Sequence, residues 1–357
     1  MNLPAHLQKL PAYDPGESVE ALATRLGRPP ETIIKLDANE NCYGAPSGIQ
    51  TALAAQNTLY RYPDTTQRDL RAALAAYTGV PAEYLIAGNG SDELLSLIVQ
   101  VVLEPGDRVI VCPPTFSMYA FYARLKNCQV VDVPRREDLS VDLEGVLSAA
   151  RASSPRIIFL DSPGNPAGIR IKPGQLEKVL SLPALIVLDE AYVEFSSMRS
   201  NMPTVKDLEN LVVLRTFSKW AGLAGFRVGY GAFPDWLGKA LWQAKSPYNI
   251  STPAMVAAIA ALGAADRLQE IIDRIVTDRE RLALALRSIP GLKVFPSETN
   301  FLLVRVEPAF GMSAAEVCAA LKERGILLRL FENIECLRIT IGKTEQLDTL
   351  IQTLREL

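Results

Sequence analysis

The chain has 357 residues, 48% of them hydrophobic, and a formal charge of −3. A chain of this length and apolar content buries a large core and favours two domains, which excludes a disordered tail protein. The near-balanced charge has no basic run, which excludes a nucleic-acid or anionic-membrane footprint and leaves a small-molecule partner.

The five cysteines, Cys42, Cys112, Cys128, Cys318 and Cys336, are scattered and odd in number. Neither a disulfide framework nor a metal knuckle is indicated, and reduced thiols in the cytoplasm are the simple reading. The first ten residues carry prolines and polar groups where a signal peptide needs an apolar core, and no apolar stretch is long enough to span a bilayer. His6 is the only histidine. Histidine-based metal sites and Ser-His or Cys-His nucleophiles are thereby nearly excluded, and no metal is expected.

In chain order, residues 1–35 are rich in proline and charge and read as an arm with one short helix over 18–26. A strand-like segment at 32–36 leads into Asp37-Ala38-Asn39-Glu40-Asn41. From Tyr84 onward, short apolar runs are mostly separated by helix-length segments. They are Leu85-Ile86-Ala87, Val109-Ile110-Val111, Val130-Val131-Asp132-Val133, Ile157-Ile158-Phe159-Leu160, Leu185-Ile186-Val187-Leu188, Val212-Val213-Leu214 and Val228-Gly229-Tyr230. Most contain no polar residue, as strands buried on both faces of a largely parallel sheet require. About seven strands in an α/β layer are expected. The alanine- and leucine-rich 253–289 reads as one or two long helices. Beyond it, strands near 301–306 and 337–341 and helices near 313–324 and 345–357 read as a smaller α+β domain. The expected division is an arm and part of the small domain over 1–40, a large domain over 41–255, and a bridging helix with the small domain over 256–357.

In such a sheet the ligand crevice lies beyond the carboxyl ends of the strands. The first run ends in Gly88-Asn89-Gly90-Ser91-Asp92-Glu93 before a helix. Glycines entering a helix N-terminus offer backbone N–H groups to a phosphate; the same residues also make an ordinary helix start with Ser91 as N-cap. The fourth ends in Asp161-Ser162-Pro163-Gly164-Asn165-Pro166-Ala167-Gly168, read from its prolines and glycines as a turn. The fifth ends in Asp189-Glu190-Ala191-Tyr192. Asp189 is either a solvated strand end or a buried carboxylate that needs a cationic partner. The sixth delivers Ser218-Lys219 into a turn with Gly222 and Gly225 that ends on Arg227. A solvated lysine is the default, but an amine among glycines, flanked by a hydroxyl and a guanidinium, suits a bound phosphate beside a reactive amine.

One chemical problem unites these groups. A lysine amine forms a Schiff base with an aldehyde cofactor, and a carboxylate against a pyridine nitrogen keeps it protonated, so that the ring accepts the electrons of a carbanion. Tyrosine and asparagine can hydrogen-bond the ring oxygen, while serine, arginine and a helix N-terminus hold a phosphate. The set describes a pyridoxal phosphate site.

Over nearly its full length the chain resembles the class II aminotransferases of fold type I, and within them it is most similar to the histidinol-phosphate aminotransferases. The resemblance is carried by Lys35-Leu36-Asp37-Ala38-Asn39-Glu40-Asn41, Arg61-Tyr62-Pro63-Asp64, the Gly88 to Glu93 segment, Pro113-Pro114-Thr115-Phe116-Ser117-Met118-Tyr119 and Asn165-Pro166. It continues through Asp189-Glu190-Ala191-Tyr192, Ser218-Lys219 with Arg227, Pro296-Ser297-Glu298-Thr299-Asn300 and Leu337-Arg338-Ile339-Thr340-Ile341-Gly342.

That resemblance implies an α/β fold with a mostly parallel seven-stranded sheet in a large domain and a smaller α+β domain, and pyridoxal 5'-phosphate as cofactor. It makes Lys219 the Schiff-base lysine and proton carrier. It assigns Asp189 to the pyridinium nitrogen, Tyr192 and Asn165 to the ring oxygen, and Phe116 to stacking. Gly90, Ser91, Asp92, Ser218 and Arg227 fall to the cofactor, chiefly its phosphate. Tyr62 matches a tyrosine lent to the neighbouring subunit's phosphate site, which implies a homodimer with shared sites. Arg338 matches the arginine that binds the substrate carboxylate, or the phosphate of histidinol phosphate, in turn. Tyr13, Asn39 and Arg329 match further substrate contacts. Gly164 and Ala167 stand where asparagine and threonine are usual, and the loop between Arg329 and Arg338 is short. The implied reaction is transamination of L-histidinol phosphate with 2-oxoglutarate, giving imidazole-acetol phosphate and L-glutamate in histidine biosynthesis. An aromatic-amino-acid aminotransferase is the alternative, and a threonine-phosphate decarboxylase a more distant one. A non-catalytic cofactor-binding module conflicts with the intact lysine and the lack of a DNA-binding segment.

Overall fold

The computed structural model describes residues 3–10, 16–172 and 174–357. Among these residues the strands are, in chain order, β1 Ile34–Lys35, β2 Leu85–Asn89, β3 Arg108–Val111, β4 Gln129–Asp132, β5 Ile157–Asp161, β6 Leu185–Asp189, β7 Leu211–Thr216, β8 Val228–Ala232, β9 Leu292–Val294, β10 Phe301–Val306, β11 Ile326–Leu327, β12 Arg329–Phe331 and β13 Cys336–Thr340. The helices are α1 Val19–Leu26, α2 Ser47–Ala54, α3 Arg68–Thr78, α4 Ser91–Val102, α5 Met118–Leu125, α6 Leu143–Ser153, α7 Gln175–Leu180, α8 Asp235–Ala244, α9 Thr252–Gly263, α10 Ala265–Arg287, α11 Ala314–Glu323 and α12 Thr344–Arg355.

Seven strands form one sheet in the order β2-β8-β7-β6-β5-β3-β4. β5, β6 and β7 are buried at every position. They are covered on both faces, which is why their sequences are unbroken apolar runs. Alternate residues supply two cores. Ile157, Phe159, Leu185 and Val187 pack against α4, α5 and α8. Ile158, Leu160, Ile186 and Leu188 pack with α3, α6 and α9 on the other face. The sheet is parallel except for β8, which runs antiparallel to both β2 and β7. A parallel return needs a crossover of a dozen or more residues. Only residues 217–227, with a single 3-10 turn at Ala224–Phe226, join β7 to β8. The chain therefore folds straight back, and Lys219 lies in that short return.

β12, β13, β10 and β9 form a separate antiparallel sheet in that order, and β1 pairs in parallel with β11 through Ile34↔Ile326 and Lys35↔Leu327. The N-terminal segment thus joins a strand almost 300 residues further on. The apolar stretch at 253–289 is two helices, α9 and α10, parted at Ala264. α1 and α11 start where the sequence offers a serine cap: Ser18 accepts from Ala21 N, and Ser313 forms a capping box with Glu316. Ser91 departs from its expected cap role. It is the first residue of α4, and Gly90, at φ 78°, is the N-cap. Among the described residues no helix is long and apolar enough to cross a membrane.

Candidate active site

Lys219 sits just beyond β7, in a turn closed by Phe217 N to Val228 O at 3.1 Å and Leu223 N to Phe217 O at 3.2 Å. Gly222 is required here. Its φ is 67°, and a Cβ on it would lie 2.4 Å from the Gly44 carbonyl oxygen. The amine donates to the Ala38 carbonyl at 3.3 Å. Burial, aided by the positive charge of Arg338, lowers it to about 8.

Asp189 ends β6 and is buried, 6% exposed, so it is not a solvated strand end. Its Oδ2 accepts from the Tyr119 hydroxyl at 2.8 Å and its Oδ1 from Ala191 N at 2.9 Å. Both partners are neutral, and burial raises the carboxyl to about 7. Tyr192, three residues on, accepts from Asn39 Nδ2 at 2.9 Å. That bond uses the hydroxyl as acceptor and leaves its proton to be donated elsewhere. Burial lifts the Tyr192 hydroxyl to about 12.

Asn39 is held from three sides. It has φ 54°, its N–H donates to Thr340 Oγ1 at 2.9 Å, and its carbonyl accepts from Asn300 Nδ2 at 2.9 Å. Arg338, on β13, donates through Nη1 to Asn165 Oδ1 at 2.8 Å and through Nη2 to the Asp37 carbonyl. Its guanidinium lies 5.5 Å from the Phe301 ring centre and 5.9 Å from that of Phe331. Arg329 is the register partner of Arg338 on the adjacent strand β12, so the short loop between them is a hairpin that sets two cationic residues side by side.

At the other end, α4 begins without a side-chain cap, so its first N–H groups are offered outward. A Cβ on Gly90 would lie 2.5 Å from Arg227 Nη2, and one on Gly229 would lie 2.2 Å from Ser91 N. These glycines let β8 and the guanidinium close on the helix start. Arg227, at φ 56°, donates to Asp92 Oδ2 at 3.1 Å. Ser218 is buried and accepts from Thr216 Oγ1 at 3.0 Å. Phe116 meets the Tyr119 ring edge-on at 5.5 Å.

Two expected residues stay outside this group. Tyr62 is 79% exposed and stacks on Tyr248 at 4.2 Å, and Tyr13 lies outside the described residues. Sequence reasoning also passed over two side chains. Tyr119 braces Asp189 from α5. Asp161, expected to be part of a plain turn, is instead a buried carboxylate ion-paired with Arg135. Its signal is the one that marked Asp189: an acid directly after four apolar residues. The two unusual turn residues also have physical reasons. A Cβ on Gly164 would lie 2.8 Å from Arg135 Nη2, and Ala167 is sealed among Leu139, Phe295, Leu303 and Cys336.

The site therefore joins a half-buried amine of lowered basicity, a buried carboxylate, an uncapped helix start with an arginine, and paired arginines opposite. Among the described residues no group of three or more histidine, cysteine, aspartate or glutamate side chains could hold a metal ion.

The family model described as aminotransferase class I and II matches residues 31–354. The chloroplastic histidinol-phosphate aminotransferase of Nicotiana tabacum is 48% identical over 353 residues, covering 98% of this chain and 85% of its own. The histidinol-phosphate aminotransferase of Roseiflexus castenholzii is 46% identical over 355 residues, covering 97% of this chain and 95% of its own. The crystal structure of histidinol-phosphate aminotransferase from Sinorhizobium meliloti in complex with pyridoxal-5'-phosphate matches with a TM-score of 0.86 at 29% identity, over 99% of this chain and 96% of that one. With a family match across nearly the whole chain and relatives this similar over almost their full length, the chain belongs to the class I and II aminotransferases of fold type I, and within them to the histidinol-phosphate aminotransferases.

Proposed function

We propose that the chain moves the amino group of L-histidinol phosphate to 2-oxoglutarate, giving imidazole-acetol phosphate and L-glutamate in histidine biosynthesis, with pyridoxal 5'-phosphate as cofactor. The observation that carries the reading is the 2.8 Å bond from Arg338 to Asn165. It links the expected substrate-anion binder to an expected cofactor contact.

The residues present fit the group. The glycine-lined start of α4, with Ser218 and Arg227, suits a phosphate, because Gly90 and Gly229 keep the approach clear of side chains. Asp189, raised to about 7 among neutral donors, is a carboxylate for which a cationic ring nitrogen is the missing partner. When bound, the cofactor supplies an aldehyde carbon that the amine joins and a protonated ring that takes up electrons from the substrate Cα.

In this reading Lys219 holds the cofactor between turnovers and then carries the proton from the substrate Cα. An amine brought down to about 8 is partly neutral near physiological pH and can accept that proton. Asp189 holds the ring N–H. Asn165 presents Nδ2 to the ring oxygen because Arg338 occupies its Oδ1, and Tyr192 adds its free hydroxyl proton. Phe116 covers one ring face. Arg338, with Arg329 beside it, receives the carboxylate of the acceptor and the phosphate of the donor in turn, for which a planar fork of donors is suited. Asn39 holds Tyr192 at the substrate side.

A homodimer belongs to the same proposal, with Tyr62 completing the partner's phosphate site. Its support is the exposed group of Leu59, Tyr60, Tyr62 and Tyr248, an apolar patch that suits burial against a second copy. A cytoplasmic setting is supported by five free cysteines. The pairing of β1 with β11 supports counting residues 1–40 with the smaller domain, apart from a large domain over 41–255.

The test is an absorbance spectrum of the cofactor-loaded protein during separate additions of L-histidinol phosphate and L-phenylalanine without 2-oxoacid. More efficient loss of the visible band with histidinol phosphate is expected. Equal or better conversion by phenylalanine would reassign the donor, and carbon dioxide released from L-threonine O-3-phosphate in a separate addition would indicate a decarboxylase. A protein with no visible band after cofactor addition would overturn the role of Lys219.

A further inference from the structure

Among the described residues the Arg135–Asp161 pair is the most enclosed ion pair, with side chains 1% and 4% exposed, and the chemistry above does not use it. Burying two charges gains little stability over a well-packed apolar pair, because desolvation offsets the attraction. What such a pair does well is hold geometry, and here its contacts lead to the cofactor site. Arg135 Nη2 donates to Asp161 Oδ1. Asp161 Oδ2 accepts from Thr115 Oγ1 and from Asn165 N, both at 2.9 Å. One carboxylate therefore ties together the loop that carries Phe116 and the turn that carries Asn165. Arg135 also braces the Phe116 loop through Nε, which bonds the Cys112 and Pro114 carbonyls, each at 3.2 Å, and its own segment through Nη1, which bonds Leu139 O at 3.1 Å. Gly164 leaves the guanidinium its space, since a Cβ there would sit 2.8 Å from Nη2 and 3.2 Å from Asp161 Oδ1.

We propose that Asp161, fixed by Arg135, is the positioning residue that sets Asn165 against the cofactor's ring oxygen and holds the Phe116 loop beside it. The inference rests on the role given above to Asn165. Asp161 touches neither cofactor nor substrate and acts through the Asn165 backbone. The absence of a side chain at Gly164 is part of the same device.

The experiment follows the visible absorbance of the cofactor-loaded protein against pH. A hydrogen bond donated to the ring oxygen favours its deprotonated form, so Asn165→Ala moves the absorbance midpoint up, by about half a unit or more. Asp161→Asn moves it in the same direction, and the double variant moves it no further than Asn165→Ala alone, since both act on one contact. Gly164→Ala keeps every charge and presses on the pair. It gives a smaller upward shift with an unchanged circular dichroism spectrum, and it decides the matter alone if Asp161→Asn does not fold. Wild-type midpoints in folded Asp161→Asn and Gly164→Ala, or additive shifts in the double variant, overturn the proposal while leaving Asn165 its role. A wild-type midpoint in Asn165→Ala removes that role and the proposal with it.

Discussion

Asp161 and Asp189 are register partners at the carboxyl ends of the parallel strands β5 and β6. Two carboxylates so placed cannot both be ionised cheaply. Arg135 compensates the first. The second is raised to about 7, first by burial without a cation and in smaller part by the charge of Asp161, against the bonds from Tyr119 and Ala191 that lower it. The asymmetry leaves one carboxylate paired and one without a cation, as the role proposed for Asp189 requires.

A pH dependence follows for the cofactor-free protein. Asp189 has an ordinary value of 3.8 and a folded value of about 7, so between them the folded chain keeps a proton that the unfolded chain has lost. The stability this group contributes is full below its ordinary value and is lost as pH rises through the folded one. Asp189→Asn therefore flattens the fall in Tm of the cofactor-free protein between about pH 4 and about pH 7. In the loaded enzyme the same change lowers kcat by ~10²-fold or more, since a neutral amide does not stabilise the ring charge. Equal Tm slopes in the two proteins would contradict the first expectation, and unimpaired kcat the second.

Lys219→Ala is expected to remove turnover, a loss of at least ~10³-fold if the group both anchors the cofactor and moves the proton as proposed. Borohydride reduction followed by mass spectrometry should find the cofactor attached to Lys219 in wild type and to nothing in the variant. Uptake of cofactor by the stripped wild-type protein should rise with pH through about 8. The charge of Arg338 helps lower that amine, so Arg338→Met should move the uptake midpoint upward, and a midpoint unchanged or lower would refute the coupling.

Arg338→Lys keeps the charge but gives up the fork that bonds Asn165 and the Asp37 carbonyl at once. Steady-state kinetics should show KM for 2-oxoglutarate and for the amino donor both rising by ~10-fold or more, because a bidentate arginine site does not accept lysine conservatively. A rise for one substrate alone would mean that Arg338 does not serve both in turn.

The shared-site dimer can be tested with two defective chains. Lys219→Ala and Tyr62→Ala homodimers are both expected to be impaired. If Tyr62 acts on the partner's site, a mixed dimer contains one site with both native residues and recovers about half of wild-type activity. No recovery in isolated hybrids would place Tyr62 within its own subunit's site, and an unimpaired Tyr62→Ala homodimer would place it outside the chemistry.

Gly229→Ala examines the phosphate cradle by sterics. A Cβ there would meet the Ser91 backbone nitrogen at 2.2 Å, so β8 and the start of α4 have to part. The expected cost is ~1–3 kcal/mol of stability, read in denaturant unfolding, together with weaker retention of cofactor. A variant that unfolds like wild type and binds cofactor normally would show that the close approach is dispensable.

The seven apolar runs announced the strands of the large sheet because burial on both faces removes polar residues from most of them, while β4, at the edge of the sheet, is only part-buried and keeps Asp132. Local chemistry likewise marked the starts of α1 and α11 at Ser18 and Ser313, and the strand ends carrying Asp189 and Lys219. What the sequence by itself determined was backbone form and burial, which are written in short-range pattern. Only the tertiary structure decided that Asp161 is paired and Asp189 is not, because Arg135 reaches Asp161 from the segment beyond a different strand. It alone brought Arg338 to Asn165 across 173 positions and set Arg329 beside it. It alone showed Gly90 rather than Ser91 as the cap of α4, and that a side chain at Gly90 would meet Arg227. Contacts between groups far apart in the chain depend on how the strands are ordered, and residue spacing carries no record of that order.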